Sequence, residues 1–130
     1  MTNGKTHQTG IEQNRAAFAF ECAKGARGKK DYPQYVKKIP MLIKTNGTGA
    51  TFAFMFDKGG DYTEIGKHIT EWLNKNAAIY LQGATLRGFA DLVEATVQMD
   101  SRQYRALTNE VLAFLAWLKR FASAMADKGA

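Results

Sequence analysis

The chain has 130 residues, enough for one domain built on one sizeable core. Hydrophobic residues make up 45% and charged residues 23%, the balance of an ordinary globular protein, and no apolar run approaches the roughly 20 residues that span a bilayer. The net charge of +6, from 18 basic against 12 acidic residues, puts a polyanion first among partner classes, with RNA or DNA ahead of a membrane surface, although many basic proteins bind no anion at all.

Residues 1–10 are mostly Thr, Asn, Gly, Lys and Gln without apolar periodicity, and are expected to form a mobile tail ahead of a single helical domain over residues 11–130. This segment also lacks the apolar core of a signal peptide. With Cys22 as the single cysteine, an internal disulfide framework is impossible, so a reducing, cytoplasmic location is expected. A first helix is predicted from about Ile11 to Lys24, with Ile11, Phe18 and Cys22 on one face and alanines that allow close neighbours. Gly25 to Lys30 ends it as a basic, flexible loop.

Asp31 is a candidate N-cap for a second helix, with Pro33 in its first turn and Tyr32, Tyr35, Val36, Ile39, Leu42 and Ile43 on its apolar face. Lys37 and Lys44, seven apart, share the opposite face. Pro40 lacks a donor and crowds the preceding turn, so it is expected to kink or split this helix. Asn46-Gly47-Thr48-Gly49 is a break. Ala50 to Lys58 is ambiguous, because Phe52, Phe54 and Phe56 alternate as in a strand. No second strand-like segment is available to satisfy its backbone, so a short buried helix is predicted, ended by Gly59-Gly60.

Asp61 is a candidate cap for a helix running to about Asn76, with Tyr62, Ile65, Ile69, Trp72 and Leu73 at helical spacing. Residues 77–88 read as irregular or a short helical turn. Phe89, Val93 and Val97 define a further helix up to Met99. From Asp100 or Ser101 a long amphipathic helix follows to Met125. Tyr104, Leu107, Val111, Phe114, Leu118, Phe121 and Met125 form its apolar stripe, and Arg102, Arg105, Lys119 and Arg120 lie outside it. The predicted fold class is all-α, a compact bundle of five or six helices.

No motif points to catalysis. Gly47-Thr48-Gly49 lacks the Gly-Lys-Ser/Thr ending and the preceding strand of a phosphate loop, and Asn46-Gly47-Thr48 is expected to match a glycosylation acceptor by chance, since no secretion signal is expected. His68 lies one helical turn from both Glu64 and Glu71. This could be an acid–base pair of a small nuclease, but a solvated polar face is the preferred reading. Two distant histidines and one cysteine make no metal-ligand spacing, and neither a metal nor a cofactor is expected. Cys22 reads as a small core residue rather than a nucleophile. Phe52, Phe54 and Phe56 could stack on bases, but such clusters are more often core. Trp117, at the stripe edge beside Arg120, is either a boundary core residue or an anchor for a protein partner. A helix-turn-helix regulator finds little support, since no short recognition helix with base-reading side chains stands out.

Several segments in order carry a resemblance. They are Arg15 in the first helix, Ile39-Pro40-Met41-Leu42-Ile43-Lys44-Thr45-Asn46-Gly47, Thr51-Phe52-Ala53-Phe54 with Lys58, and Tyr62-Thr63-Glu64-Ile65 with Trp72-Leu73. Tyr104-Arg105-Ala106-Leu107-Thr108-Asn109-Glu110 and Trp117-Leu118-Lys119-Arg120-Phe121-Ala122 complete the series. From Ile11 to Met125 the chain resembles the small helical subunit of type III-B CRISPR effector complexes, the Cmr complexes. It departs from that pattern at Thr48, where an aliphatic residue is expected, and over Ala77 to Gly88. The resemblance implies a non-enzymatic subunit, copies of which stack into a short filament beside the backbone subunits that hold the guide RNA. Such a filament lines the groove where target RNA pairs with the guide, while cutting belongs to the backbone subunits and nucleotide chemistry to the large subunit. The expected partners are therefore guide and target RNA, the backbone and large subunits, and further copies of the chain, with no membrane. Arg15, Lys37, Lys44, Lys58, Lys119 and Arg120 are the candidates for RNA phosphate contact.

Overall fold

The computed structural model describes residues 3–76, 81 and 85–127. Among these residues six elements form, all α-helices: α1 Asn3–Gly25, α2 Tyr32–Asn46, α3 Thr48–Lys58, α4 Asp61–Asn76, α5 Phe89–Gln98 and α6 Ser101–Asp127. The aromatic alternation in α3 is thus helical. It buries Phe52 and Met55 with Thr48 and Thr51, while Phe54 and Phe56 stay exposed at 37% and 53%.

α1 starts at Asn3 rather than near Ile11, because helical backbone continues through a polar segment that has no apolar spacing to betray it. Its buried face is Ala19, Cys22 and Ala23 with half-buried Phe18, followed by buried Ala26 just past its end, and Ile11 lies exposed. Small side chains let α1 approach α6 closely, and this is the largest helix pair in the bundle. α2 runs unbroken through Pro40, neither split nor ended there. Tyr32, Val36, Ile39 and Ile43 are buried on both sides of the proline, and that packing offsets the lost hydrogen bond.

The elements close around one core. α6 packs on α1 and α2, α3 lies against α2, α4 and α5, and α4 touches all of the first five helices except itself. The α6 stripe is buried at Leu107, Val111, Phe114 and Leu118, widened by Leu115 and Ala122, with Tyr104, Phe121 and Met125 half-buried at its edge. On α4, Gly66 receives the ring of Phe89 from α5: an added Cβ would stand 2.5 Å from a ring carbon.

Caps follow the expected positions with different chemistry. Asp100 Oδ1 accepts the Gln103 amide at 2.8 Å and caps α6. Asp31 stands at the N-cap of α2 but makes no side-chain cap, and its own amide donates to Asp61 Oδ2 at 3.0 Å, tying the start of α2 to the first turn of α4. The α2–α3 break turns on Gly47, whose φ of 93° lies in the left-handed region and whose missing Cβ would meet the Tyr104 hydroxyl at 3.2 Å. Tyr104 accepts the Gly49 amide at 2.7 Å, and Thr48 is hydrogen-bonded to Thr108, so α6 pins this turn. The departure at Thr48 is therefore a buried polar pair in place of an apolar contact. Most of residues 77–88 lies outside the described residues; Leu86 is held by Asn74, which accepts its amide at 3.0 Å and donates to its carbonyl at 2.7 Å.

Candidate nucleic-acid interface

α2 and α6 pack through their apolar faces, which turns Lys37 outward on one helix and Lys119 and Arg120 outward on the other. The three cations line one shallow, open groove with Ser123 and Ala124. No carboxylate lines it, and none of the three makes an ion pair among the described residues. Lys44 is exposed two helical turns along α2 from Lys37, on the same outward face. Lys58 stands elsewhere, at the α3–α4 turn.

Arg15 is set in the core instead. Its side chain is only 16% exposed, and its guanidinium grips Glu110 with both arms, Nε to Oε2 at 2.7 Å and NH2 to Oε1 at 2.8 Å. Glu12 adds a contact at 3.2 Å. Trp72 Nε1 donates to the same Glu110 Oε2 at 2.9 Å, and the Trp72 ring stacks on Phe114 with centroids 5.7 Å apart. Burial pushes the Glu110 carboxyl up, but the hydrogen bonds from Arg15 and Trp72 outweigh it and leave the group below its ordinary value. With its charge matched by two carboxylates, Arg15 ties α1 to α6 and does not line the basic groove. By local spacing alone Glu110 looks like any charge on a long helix. The usable signal was its place between Leu107 and Val111 in the apolar stripe, opposite an arginine on the inward face of α1.

His68 is likewise not on a solvated face. It is buried, its Nδ1 lies 2.6 Å from the Tyr32 hydroxyl, and its Nε2 lies 3.3 Å from Glu64 Oε2. Burial lowers its pKa and outweighs the neighbouring Glu64 and Glu71, which favour the charged form. A neutral imidazole can accept from the Tyr32 hydroxyl at Nδ1 while its Nε2 faces the Glu64 carboxylate. Glu71 is exposed and makes no hydrogen bond to His68. Cys22 is buried, and desolvation, followed by the nearby glutamates, pushes its thiol up to about 12, the state of a core residue rather than a nucleophile. Trp117 is half-buried, donates to Glu12 Oε1 at 3.0 Å and stacks on Phe121, as a boundary residue does.

The molecule so defined is a basic all-α bundle whose buried polar side chains have hydrogen-bond partners among the described residues and which brings three cations from α2 and α6 into one groove. Residues 11–125 match the model of the family described as CRISPR-associated protein (Cas_Cmr5), and the chain belongs to that family. A relative from Thermus thermophilus described as CRISPR system Cmr subunit Cmr5 is 30% identical over 109 residues, covering 83% of this chain and 85% of its own. A crystal structure of a CRISPR-associated Cmr5 family protein from Thermus thermophilus superposes with a TM-score of 0.72 at 28% identity, over 88% of this chain and 96% of that one.

Proposed function

We propose that this chain is a non-catalytic subunit of a type III-B CRISPR effector, the Cmr complex, which stacks with further copies of itself beside the guide-RNA backbone and contacts target RNA. The observation that carries this reading is the groove of Lys37, Lys119 and Arg120, three cations from two helices with no carboxylate among its lining residues. Such a groove binds phosphate without reading bases, as suits an assembly in which guide pairing supplies the sequence specificity. Lys44 extends the same surface along α2, and Lys58 belongs to a separate one. The same reading places the protein in antiviral defence in the cytoplasm, among the guide RNA, the backbone subunits and the large subunit.

A nuclease built on His68 is disfavoured by its burial beneath Tyr32, which leaves no open position for a substrate proton. The test is reconstitution of the complex with and without this chain. Omission is expected to weaken target RNA binding, and the purified chain with labelled RNA and divalent metal should leave the RNA intact. Unchanged target binding by the depleted complex, or cleavage that is lost in His68→Gln, would overturn the reading. Duplex DNA bound more tightly than single-stranded RNA would favour a DNA-binding regulator instead.

A further inference from the structure

At the α3–α4 turn the fold gathers a second surface, unlike the basic groove in composition. Tyr35 from α2 stacks on Tyr62 from α4, with centroids 3.9 Å apart and planes 5° from parallel. Phe54 from α3 meets the Tyr62 ring edge-on at 5.2 Å. Tyr62 is buried and backs the pair, while Tyr35 is half-buried and Phe54 more than a third exposed. Lys38 Nζ lies 5.9 Å from the centre of the Tyr35 ring, and Lys58 Nζ lies 5.9 Å from that of Phe54. These residues line a surface cavity of about 390 Å³ together with Asp31, Asp61 and the Gly59-Gly60 turn.

We propose that this cavity receives one unstacked nucleobase of the RNA, stacked against the open side of Tyr35 or Phe54, with Lys38 and Lys58 on the flanking phosphates. The inference rests on the RNA-contacting role proposed above but concerns a different face. The volume falls within the range of small-ligand sites. A rigid pair of aromatic rings with flexible cations beside them is the arrangement that holds single-stranded nucleic acid, because every base offers a ring face. The lysines now cover the rings only loosely, so an entering base replaces them there and frees them for phosphate. Asp31 and Asp61 share the lining with Lys38 and Lys58, so this surface carries less net positive charge than the basic groove. Its contribution is stacking, whereas that of the Lys37, Lys119 and Arg120 groove is charge.

The experiment uses the assembled complex with target RNA carrying 5-iodouridine at successive positions, irradiated and mapped by peptide. At one or more positions the expected product is a cross-link to Tyr35 or Phe54. Tyr35→Leu with Phe54→Leu should also lower the target RNA affinity of the complex on the order of tenfold, as loss of a stacking partner implies, and unchanged affinity would overturn the inference. Circular dichroism of the variant checks that the bundle is retained. Cross-links confined to α6 and the Lys37 face of α2 would overturn the inference and leave the proposed function standing. Cross-links nowhere on this chain would overturn both.

Discussion

Glu110 joins three helices through one carboxylate, with Arg15 of α1 held by both oxygens and Trp72 of α4 by one. Removing one partner of a buried pair leaves the other uncompensated, at a cost of roughly 3–5 kcal/mol. Glu110→Gln is expected at the low end of that range, since glutamine keeps an acceptor for Trp72 and Arg15 keeps Glu12. Urea unfolding at neutral pH measures it, and an unchanged midpoint would contradict a structural role for the pair. The pH dependence has a definite sign. A carboxyl held below its ordinary 4.5 in the folded state contributes stability that is complete above that value and is lost as pH falls through the folded value. The gap between wild type and Glu110→Gln should therefore narrow on acidification below about 4.5. The place of Glu110 within the apolar stripe marks it as unusual in the sequence, but its pairing with Arg15 is not legible there. A charge count scores a paired and a solvated arginine alike, and the pairing spans residues 15 and 110, beyond the reach of any local spacing rule.

Helical spacing named the faces of α2, α4 and α6 well because each buries a stripe at the period of the helix itself. It failed where packing departs from that rule. α1 buries alanines and a paired arginine, which give little periodic signal, and α2 passes Pro40 because its neighbours bury enough to hold it. Leu118, fully buried among the α6 core residues, should cost about 2–5 kcal/mol when replaced by alanine. A preserved urea midpoint would remove that face from the core. Gly66→Ala sets two effects against each other. Helix propensity favours alanine by about 1 kcal/mol. The new methyl, however, would meet the Phe89 ring at 2.5 Å, an overlap that costs roughly 1–3 kcal/mol in a packed core. Phe89 also packs on Phe52 and Phe56, which limits its retreat, so net destabilisation is expected in thermal melts. A stabilised variant would show that α5 yields freely.

For the whole molecule, net charge pointed to a polyanion, but only the fold sorted the six candidate cations. It took Arg15 into the core, set Lys58 beside aromatic rings, and brought Lys37 to Lys119 and Arg120 across some eighty residues of sequence. No spacing rule links α2 to α6, and this is why the groove was not readable beforehand. It also shows why Lys119 and Arg120 are the positions to change: both are exposed, and neither supports the core. The measurement that tests the central claim most directly is target RNA affinity of the assembled complex carrying Lys119→Glu with Arg120→Glu, taken across a series of salt concentrations. The account predicts normal assembly and weaker binding, by a similar factor for unrelated guide–target pairs, with the salt dependence flattened by roughly 0.7–0.9 per lost phosphate contact. Normal assembly with wild-type affinity and an unchanged salt slope would contradict it.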